Sequence, residues 1–304
     1  MSARNSIGIQ YALVTAVISG FSIFLNKFAV TAIPQPLLFT TLKNSLVAVL
    51  IVSLILAGKK WHLVRHLSHK HIIQLALIGI IGGSLPFYLF FTGLSSIPAI
   101  NGAIIHKTLV IWVSLLAILF LKEKLSPAKI LAVIGLFAAN TLFGGFPGLK
   151  FSPGELMVLA ATLFWSIETI IAKKVLSSVD PDIVTAARMG LGSVVLFLLL
   201  LTTHNPQLTT VLNFNLTQWS WVFLTAGLLF AYVSAWYRAL KFAPAATVTV
   251  VLVSSTLITN TLSAVFITHS LNQQIILQSL MILVCIYIIN RTNKPGLEPA
   301  CYIR

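Results

Sequence analysis

The sequence predicts an all-α integral membrane protein of ten transmembrane helices, arranged as two inverted five-helix repeats. Three observations predict this fold class. Apolar residues make up 58% of the 304 residues and charged residues only 9%, whereas a soluble domain carries about 25% charged residues. Ten apolar runs approach the roughly 20 residues that a helix needs to cross a bilayer. Finally, short motifs recur at a constant offset along the chain.

The ten apolar runs account for nearly the whole chain. They lack the alternation of an outer-membrane barrel, and helices otherwise satisfy every backbone polar group within lipid. The predicted spans cover residues 8–30, 35–57, 72–93, 97–121, 127–146, 154–176, 183–203, 218–240, 244–267 and 272–290. Gly79 and Gly83 in the third span have the spacing that favours close helix contact. Only short joints separate the spans, so we expect no soluble domain between them.

Sequence signals mark where these spans begin and end. Pro34 and Pro36 lie at the entrance of the second span. Pro98 and Pro244 start the fourth and ninth spans, because proline is tolerated at the first helical position. Between the second and third spans, residues 59–71 hold four of the seven histidines. Their spacing matches no standard zinc ligand set, so we expect a solvated basic loop and no metal.

The formal charge of +14 orients the chain in the membrane. With the amino terminus in the cytoplasm, the outer side keeps only Lys150, with Lys27 at a helix end that snorkels. The inner segments then collect Arg4, Lys59, Lys60, Arg65, Lys70, Lys122, Lys124, Lys129, Lys173, Lys174, Arg238, Lys241, Arg291, Lys294 and Arg304. This positive-inside bias predicts cytoplasmic termini and basic residues that face anionic lipid rather than nucleic acid. We expect a multi-pass protein of the cytoplasmic (inner) membrane.

The two halves of the chain repeat each other at an offset of 146 residues, as Pro98 and Pro244 illustrate. The predicted repeats are residues 1–147 and 148–292, followed by a cytoplasmic tail at 293–304. Because each repeat holds five spans, an odd number, the second begins on the opposite face of the membrane. Inverted repeats are typical of transporters that open alternately to the two sides of the membrane.

Five short motifs share a family pattern: Ser19–Lys27, Gly93–Ala99, Leu121–Pro127, Trp165–Lys173 and Leu240–Ala245. With these motifs the chain resembles the drug/metabolite transporter superfamily, specifically its ten-helix EamA-type members, over nearly its whole length. The resemblance implies transport of a small metabolite, often export of an amino acid or a related compound.

The chain departs from the family pattern at three positions. Lys43 stands where the second helix often carries Arg, and Arg188 is shifted by one position in the second repeat. His269 replaces the glutamate of the turn between the last two helices of a repeat. The shared motifs concern architecture, so the resemblance does not specify the solute.

Ionisable side chains inside the predicted spans are the candidate functional residues, because each costs about 2.5–3.5 kcal/mol on insertion scales. Lys107 lies about 15 Å below the outer end of span four, close to the midplane. It either lines a central cavity, forms a structural pair with Glu168, or is held neutral by desolvation. His106, about 100° around the same helix, either binds solute or a proton, or bonds to a helix carbonyl.

Glu168 is the only carboxylate deep in any predicted span, so it is the candidate proton carrier if transport is coupled to protons. The alternative is that it only neutralises Lys107. Lys43 lies roughly 12 Å below the outer end of span two and faces either the cavity or a neighbouring helix. Arg188 lies about 7 Å from the inner end of span seven, and we expect it to snorkel to the interface.

Uncharged polar and aromatic residues complete the candidate site. Asn140 and Asn260 are expected to make hydrogen bonds between helices, whereas Asn101 shares a helix with Lys107 and is a candidate solute ligand. The candidate aromatic walls of a solute cavity are Tyr88, Trp165, Tyr232 and Trp236. Each of these aromatic residues also suits packing against lipid or another helix.

Together these observations predict a secondary transporter that exports a small metabolite, an amino acid or related solute, by alternating access. The expected partners are the solute, the bilayer and, for coupling, protons; we expect no cofactor, no nucleic acid, and a monomer or weak homodimer. Neither paired acids nor an HExxH-type motif appears, so we do not expect an enzyme. An exchanger of anionic solutes such as sugar phosphates, and a non-transporting scaffold or receptor, are the alternatives.

Overall fold

The computed structural model describes residues 3–142, 148–203, 206–270 and 273–292. The predicted tail at 293–304 and the predicted repeat boundary at 147 lie outside these residues. Within them, eight helical segments are long and apolar enough to cross a membrane. Two shorter apolar helices, Pro127–Leu142 and Gln273–Ile288, occupy the fifth and tenth predicted positions.

The helices of the first half follow the predicted spans closely. They are α1 (Ala3–Ala32), α2 (Pro36–Ala57), α3 (Trp61–Arg65), α4 (His69–Gly83), α5 (Leu85–Leu94), α6 (Ala99–Lys107), α7 (Leu109–Leu121) and α8 (Pro127–Leu142). The third predicted span is therefore divided into α4 and α5, and the fourth into α6 and α7. The short α3 lies within the predicted basic loop.

The second half continues with α9 (Pro153–Val175), α10 (Pro181–Thr203), α11 (Pro206–Thr210), α12 (Leu216–Phe242), α13 (Ala245–Val253), α14 (Ser255–Ser263) and α15 (Gln273–Thr292). Capping boxes at Ser152 and Asn215 begin α9 and α12, where the cap side chain and the third residue satisfy each other's free amides. The ninth predicted span is divided between α13 and α14, and a π-helix at Ala264–Thr268 ends it.

The breaks in the fourth and ninth spans are equivalent in position and in chemistry. They fall at Thr108 and Ser254, which lie 146 residues apart. The Thr108 hydroxyl donates to the Ile105 carbonyl at 2.6 Å, and the Ser254 hydroxyl donates to the Val251 carbonyl at 2.6 Å. Such bonds from a side chain to a nearby carbonyl compete with the helical ladder, so each of these spans consists of two half-helices.

The third span is broken for a different reason. Pro86 has no N–H to donate to the carbonyl four residues earlier, which belongs to Gly82. That carbonyl instead accepts from the indole Nε1 of Trp165 at 3.0 Å, and the Gly83 carbonyl accepts from Asn44 Nδ2 at 3.4 Å. The break therefore draws α2 and α9 onto the centre of the third span.

The turns that follow the fourth and ninth predicted spans do not keep the offset of 146 residues. Each turn contains one residue with a left-handed backbone, Lys122 (φ 54°) or His269 (φ 50°), and these two residues are 147 positions apart. A π-helix contains one more residue per hydrogen-bonded turn than an α-helix, and the π-helix before His269 accounts for the difference. The sequence alignment of His269 with Glu123 is therefore wrong in register, because the backbone matches His269 to Lys122.

Helices of the two halves pack in reciprocal pairs. The first predicted span, α1, packs on the eighth, α12. In the same way the sixth predicted span, α9, packs on the third, which consists of α4 and α5. Glycines mark both contacts: a Cβ on Gly8 would lie 2.6 Å from that of Ala243, and a Cβ on Gly154 would lie 2.8 Å from the Ile97 side chain. The two glycines are 146 residues apart, and so are the residues that they contact, Ile97 and Ala243. The spans α2 and α10 meet at the centre, and α8 packs on α15.

The crossing of α4 and α10 brings two backbones into direct contact. A Cβ on Gly192 would lie 2.6 Å from the Gly83 carbonyl carbon, and one on Gly83 would overlap the Arg188 carbonyl. The predicted close contact at Gly83 is thus confirmed. Gly190, two residues before Gly192 and on a different face of the same helix, has nothing within 4 Å of an added Cβ.

We expect Gly192→Ala to lower the apparent Tm in detergent, because the methyl group forces apart two backbones and overpacking costs about 1–3 kcal/mol or more. Gly190→Ala is the matched control. It gains up to about 1 kcal/mol of helix propensity and is expected to keep or raise the Tm. Equal Tm values for the two variants would contradict the close crossing.

Candidate functional site

The buried charges at the centre of the bundle form a triad on α9, α10 and α12. The Tyr237 hydroxyl donates to Glu168 Oε1 at 2.5 Å. Arg188 Nη1 lies 3.7 Å from Glu168 Oε2 and donates to the Tyr237 hydroxyl at 3.5 Å. All three side chains are buried. Glu168 is thus paired with Arg188. The predicted snorkelling of Arg188 is therefore wrong, and so is the alternative in which Glu168 pairs with Lys107.

Small residues on α4 make room for this triad. A Cβ on Gly82 would overlap the Glu168 side chain, so only glycine lets α4 approach so closely. Trp165, one turn before Glu168, donates to the carbonyl of Gly82. The carboxylate is therefore held between a glycine backbone on one side and the Arg188 and Tyr237 side chains on the other.

Lys107 points away from the triad, towards the peripheral helices α8 and α15. Its ammonium donates to Asn140 Oδ1 at 2.7 Å. Gln278 donates to the same oxygen at 3.2 Å and accepts from Asn260 Nδ2 at 2.7 Å. The chain of bonds joins α6, α8, α14 and α15, which confirms the predicted interhelical role of Asn140 and Asn260. The Lys107 ammonium is therefore engaged in this hydrogen-bond network.

Lys43 is the contrasting case. It is buried, and its ammonium lies 5.0 Å from the centre of the Phe39 ring one turn earlier on α2. Within the described residues it forms no hydrogen bond and no ion pair. A buried lysine without a carboxylate is costly in a bilayer, and the face of an aromatic ring offsets only part of that cost. In the part of the chain that the structure describes, Lys43 is therefore an interior cation with only an aromatic ring as its partner.

His106 belongs to an aromatic cluster between the two halves. Its ring lies 5.0 Å from the Trp165 ring and 5.4 Å from Phe90, and Phe87 lies 5.3 Å from Trp165 on the other side. His106 Nδ1 is buried and has no hydrogen-bond partner among the described residues. The predicted bond from His106 to a helix carbonyl is thus not made through this nitrogen.

A cleft of about 230 Å³ lies between α2, α5 and α10, at the end of the bundle that the positive-inside rule predicts to face outwards. Its walls include Thr40, Phe87, Tyr88, Phe91, Ser95 and Leu196. Tyr88, a predicted wall residue of the solute cavity, borders this cleft. Tyr232 and Trp236 are elsewhere, stacked on each other at 6.3 Å on α12.

Asn101 lies at the beginning of α6, where it ties the two halves together. Its amide donates to Glu155 Oε1 at 2.7 Å and to the Gly148 carbonyl at 3.1 Å. Glu155 also accepts from the backbone at Ser152, within the capping box that begins α9. These contacts indicate a structural role for Asn101, near the membrane surface.

At the opposite end of the bundle, ion pairs join helices of both halves. Asp182 at the beginning of α10 accepts from Lys60 at 2.6 Å and from Arg238 on α12 at 2.6 Å. The hydrogen bond and the negative charge of Asp182 raise the pKa of Lys60, so this lysine stays charged. Sequence reasoning missed this cluster because its members lie in three separate segments, each a typical basic or acidic helix end.

A second contact at the same end clamps the joint between α12 and α13. Glu123, in the turn after α7, accepts from the amides of Ala245 and Ala246 at 2.7 and 3.2 Å. Lys173 donates to the Leu240 and Ala243 carbonyls at 2.5 and 2.8 Å. Burial raises the pKa of Glu123, although the two amides act in the opposite direction.

Comparison with known proteins gives one family. The model of the EamA-like transporter family matches residues 6–144 and again 152–291. An uncharacterized transporter of Archaeoglobus fulgidus is 25% identical over 214 residues, which are 66% of this chain and 69% of that protein. The uncharacterized transporter YyaM of Bacillus subtilis is 26% identical over 140 residues, 44% of this chain and 45% of that protein.

A solved structure shares the fold. It superposes with a TM-score of 0.77 over 97% of this chain and all of the other, at 15% sequence identity. At that identity the likeness concerns the helical fold alone. The helices, the buried charges and the cleft described above are thus arranged on a fold that is known from experiment.

We expect Glu168→Gln to lower the apparent Tm strongly, because breaking one side of a buried ion pair costs about 3–5 kcal/mol. The double variant Glu168→Gln with Arg188→Met removes both charges and is expected to recover more than half of the loss. Thermal unfolding in detergent, followed by size-exclusion fluorescence, measures both. If the double variant loses as much Tm as Glu168→Gln and Arg188→Met lose together as single variants, Glu168 is not paired with Arg188.

Proposed function

Because this chain belongs to the EamA-like transporter family and is a multi-pass membrane transporter, we propose that it exports a small metabolite across the cytoplasmic membrane by alternating access. In this proposal both termini are cytoplasmic, and residues 1–147 and 148–292 are inverted repeats of five spans. The cytoplasmic tail follows at 293–304. The solute is a small amphipathic metabolite, an amino acid or a related compound.

The reciprocal packing of the halves is the observation that carries this proposal. The first span contacts the eighth as the sixth contacts the third, and the paired glycines Gly8 and Gly154 keep the same offset as their partners. The breaks at Thr108 and Ser254 keep it too. Two halves that make equivalent contacts of opposite orientation have two equivalent arrangements, one open to each side of the membrane.

The contacts at the two ends of the bundle support an arrangement closed to the cytoplasm. Asp182 links Lys60 of the first half to α10 and α12 of the second, and Glu123 of the first half holds the beginning of α13. At the other end the cleft between α2, α5 and α10 is present. Opening to the cytoplasm requires these cross-half contacts to separate, so their strength sets the population of that state.

Lys43 is the residue that we propose to bind an anionic group of the solute. The sequence also predicts Lys107 as a cation that lines the cavity, but its ammonium is held by Asn140, whereas Lys43 has no acid partner among the described residues. In this proposal His106 and Trp165 flank the path of the solute between the halves, and Tyr88 lines the cleft from which it starts. The stacked pair Tyr232 and Trp236 is proposed to border that path on the side of α12.

Glu168 is the proposed proton-coupling group. It is a buried carboxylate whose partners, Arg188 and Tyr237, are both side chains that move with α10 and α12. Movement of these helices changes the cost of its charge, which is how a carboxyl group gains or loses a proton during a transport cycle.

An exchanger of anionic solutes is the second candidate, and the uncompensated charge of Lys43 favours it. The contacts of the other two interior cations count against a sugar-phosphate site, because Arg188 is paired with Glu168 and Lys107 with Asn140. A scaffold or receptor without transport is distinguished directly, since it moves no solute in proteoliposomes.

We expect Lys43→Gln to reduce transport of carboxylate-bearing solutes roughly 10- to 100-fold, because a hydrogen bond to a charged group contributes about 1.5–3 kcal/mol. Counterflow of radiolabelled amino acids and simple carboxylates into proteoliposomes measures this. Lys27→Gln, at an exposed position of α1, is the control and is expected to leave transport unchanged. Wild-type flux in Lys43→Gln would remove the anion-binding role.

We expect Asp182→Asn to raise the fraction of molecules open to the cytoplasm. The readout is labelling of Ser234→Cys, a buried position on α12, by a maleimide added from the cytoplasmic side, in a background without the native cysteines. Labelling is expected to increase several-fold in Asp182→Asn. Lys59→Gln, next to the paired Lys60, is the control and should leave the labelling rate unchanged. If the labelling rate does not increase in Asp182→Asn, ion pairs do not hold the cytoplasmic end closed.

A further inference from the structure

The cleft between α2, α5 and α10 has walls of a distinct kind. The rings of Phe87, Tyr88 and Phe91 line one side, on α5, and Leu196 of α10 closes the other. In the described part of the chain no charged side chain lines it. The surface offered to an occupant is therefore aromatic and neutral, which suits the flat face or edge of a ring.

A polar group at this cleft lacks a hydrogen-bond partner. Thr40 lines the cleft, its side chain is buried, and its Oγ1 has no hydrogen-bond partner among the described residues. Most buried hydroxyls in proteins are hydrogen-bonded, and an unpartnered one requires an explanation. Solvent does not reach this oxygen, so a ligand hydroxyl or ring N–H becomes its partner once the Thr40 side chain turns towards the cleft.

The size of the cleft limits what enters. Its volume is about 230 Å³, whereas an apolar cavity of about 150 Å³ is enough to bind benzene. One six-membered or indole-sized ring with a small polar substituent fits this volume. An acyl chain matches the apolar walls but leaves the Thr40 hydroxyl without a partner.

The cleft continues inwards as a series of rings. Phe87, which lines it, makes an edge contact with Trp165 at 5.3 Å, and Trp165 contacts His106 at 5.0 Å. Lys43 lies one turn beyond Thr40 along α2, on a face about 60° away by helix geometry. An amphipathic solute with its ring in the cleft therefore has its polar end directed towards the interior of the bundle.

We propose that this cleft is a binding subsite for a single uncharged aromatic ring that carries one hydrogen-bonding substituent, of the phenol or indole class. The rings on α5 hold the ring of the ligand, and Thr40 bonds its hydroxyl or N–H. The inference deepens the proposed transport function, on which it rests, by naming the class of the solute's apolar part.

Binding of phenol to the protein in nanodiscs tests this inference, by titration with saturation-transfer NMR and with empty nanodiscs as the blank. Leu196→Phe fills the cleft and is expected to weaken phenol binding more than tenfold. Thr40→Val removes one hydroxyl of similar shape and is expected to weaken it about fivefold, the effect of one neutral hydrogen bond. Cyclohexanol, of similar size without a π face, is expected to bind at least tenfold more weakly than phenol.

The controls are lipid-facing neighbours on the same helix. Leu198→Phe and Phe197→Leu, at exposed positions, are expected to leave phenol affinity unchanged. Phenol binding that persists in Leu196→Phe, or that is equal to cyclohexanol binding, would overturn the inference. So would a phospholipid that copurifies with the wild type and is lost in Leu196→Phe, because an acyl chain would then occupy the cleft.

The binding measurement needs no transport, which separates the two proposals. If phenol binds as described while proteoliposomes move no solute, the transport proposal fails and the subsite stands. If solute moves and depends on Lys43 but phenol binding ignores Leu196 and Thr40, the subsite fails and transport stands.

Discussion

A carboxylate inside a bilayer must be neutralised by the protein itself, and the arrangement of the central helices follows from this constraint on Glu168. Arg188 and Tyr237 supply the partners, so α10 and α12 must both approach α9. The third span must approach as well, and it does so at Gly82 and Gly83, where any side chain would overlap its neighbours. The interruption after Gly83 leaves carbonyls exposed, and side chains from α2 and α9 satisfy them. The buried charge of Glu168 is thus associated with the approach of α4, α10 and α12 to α9.

The two interior lysines illustrate why charge alone does not identify a solute site. Both lie in apolar spans, and both are expensive to bury. Lys107 is satisfied by Asn140 within a network that attaches the peripheral helices, whereas Lys43 has only the face of Phe39. A satisfied cation stabilises the bundle. A cation with an incomplete set of partners has binding energy left for an anion, and this difference is the reason for assigning the solute's charged group to Lys43.

The two ends of the bundle differ in the contacts that close them. Ion pairs and charged caps join the halves at the end rich in lysine and arginine, and an aromatic cleft occupies the other. Two turns with the same left-handed backbone conformation carry different side chains: Lys122-Glu123 in one half corresponds to His269-Ser270 in the other. At the end that holds the cleft the halves are also joined, because the Asn101 amide donates to Glu155, so the two ends differ in the kind of contact that holds them.

The sequence by itself determined the membrane class, the positions of the spans within a few residues and the constant offset between the halves, because hydropathy and proline punctuation are local properties. The close contact at Gly83 and the interhelical bonds of Asn140 and Asn260 were also predictable, since small and amide side chains have few other uses in lipid. Only the tertiary structure decided which charges are paired. Glu168 meets Arg188 rather than Lys107, and Asp182 meets Lys60 and Arg238, because these partners come from segments far apart in the chain. Depth along a helix follows from counting residues, but the direction of a side chain between neighbouring helices depends on how those helices cross.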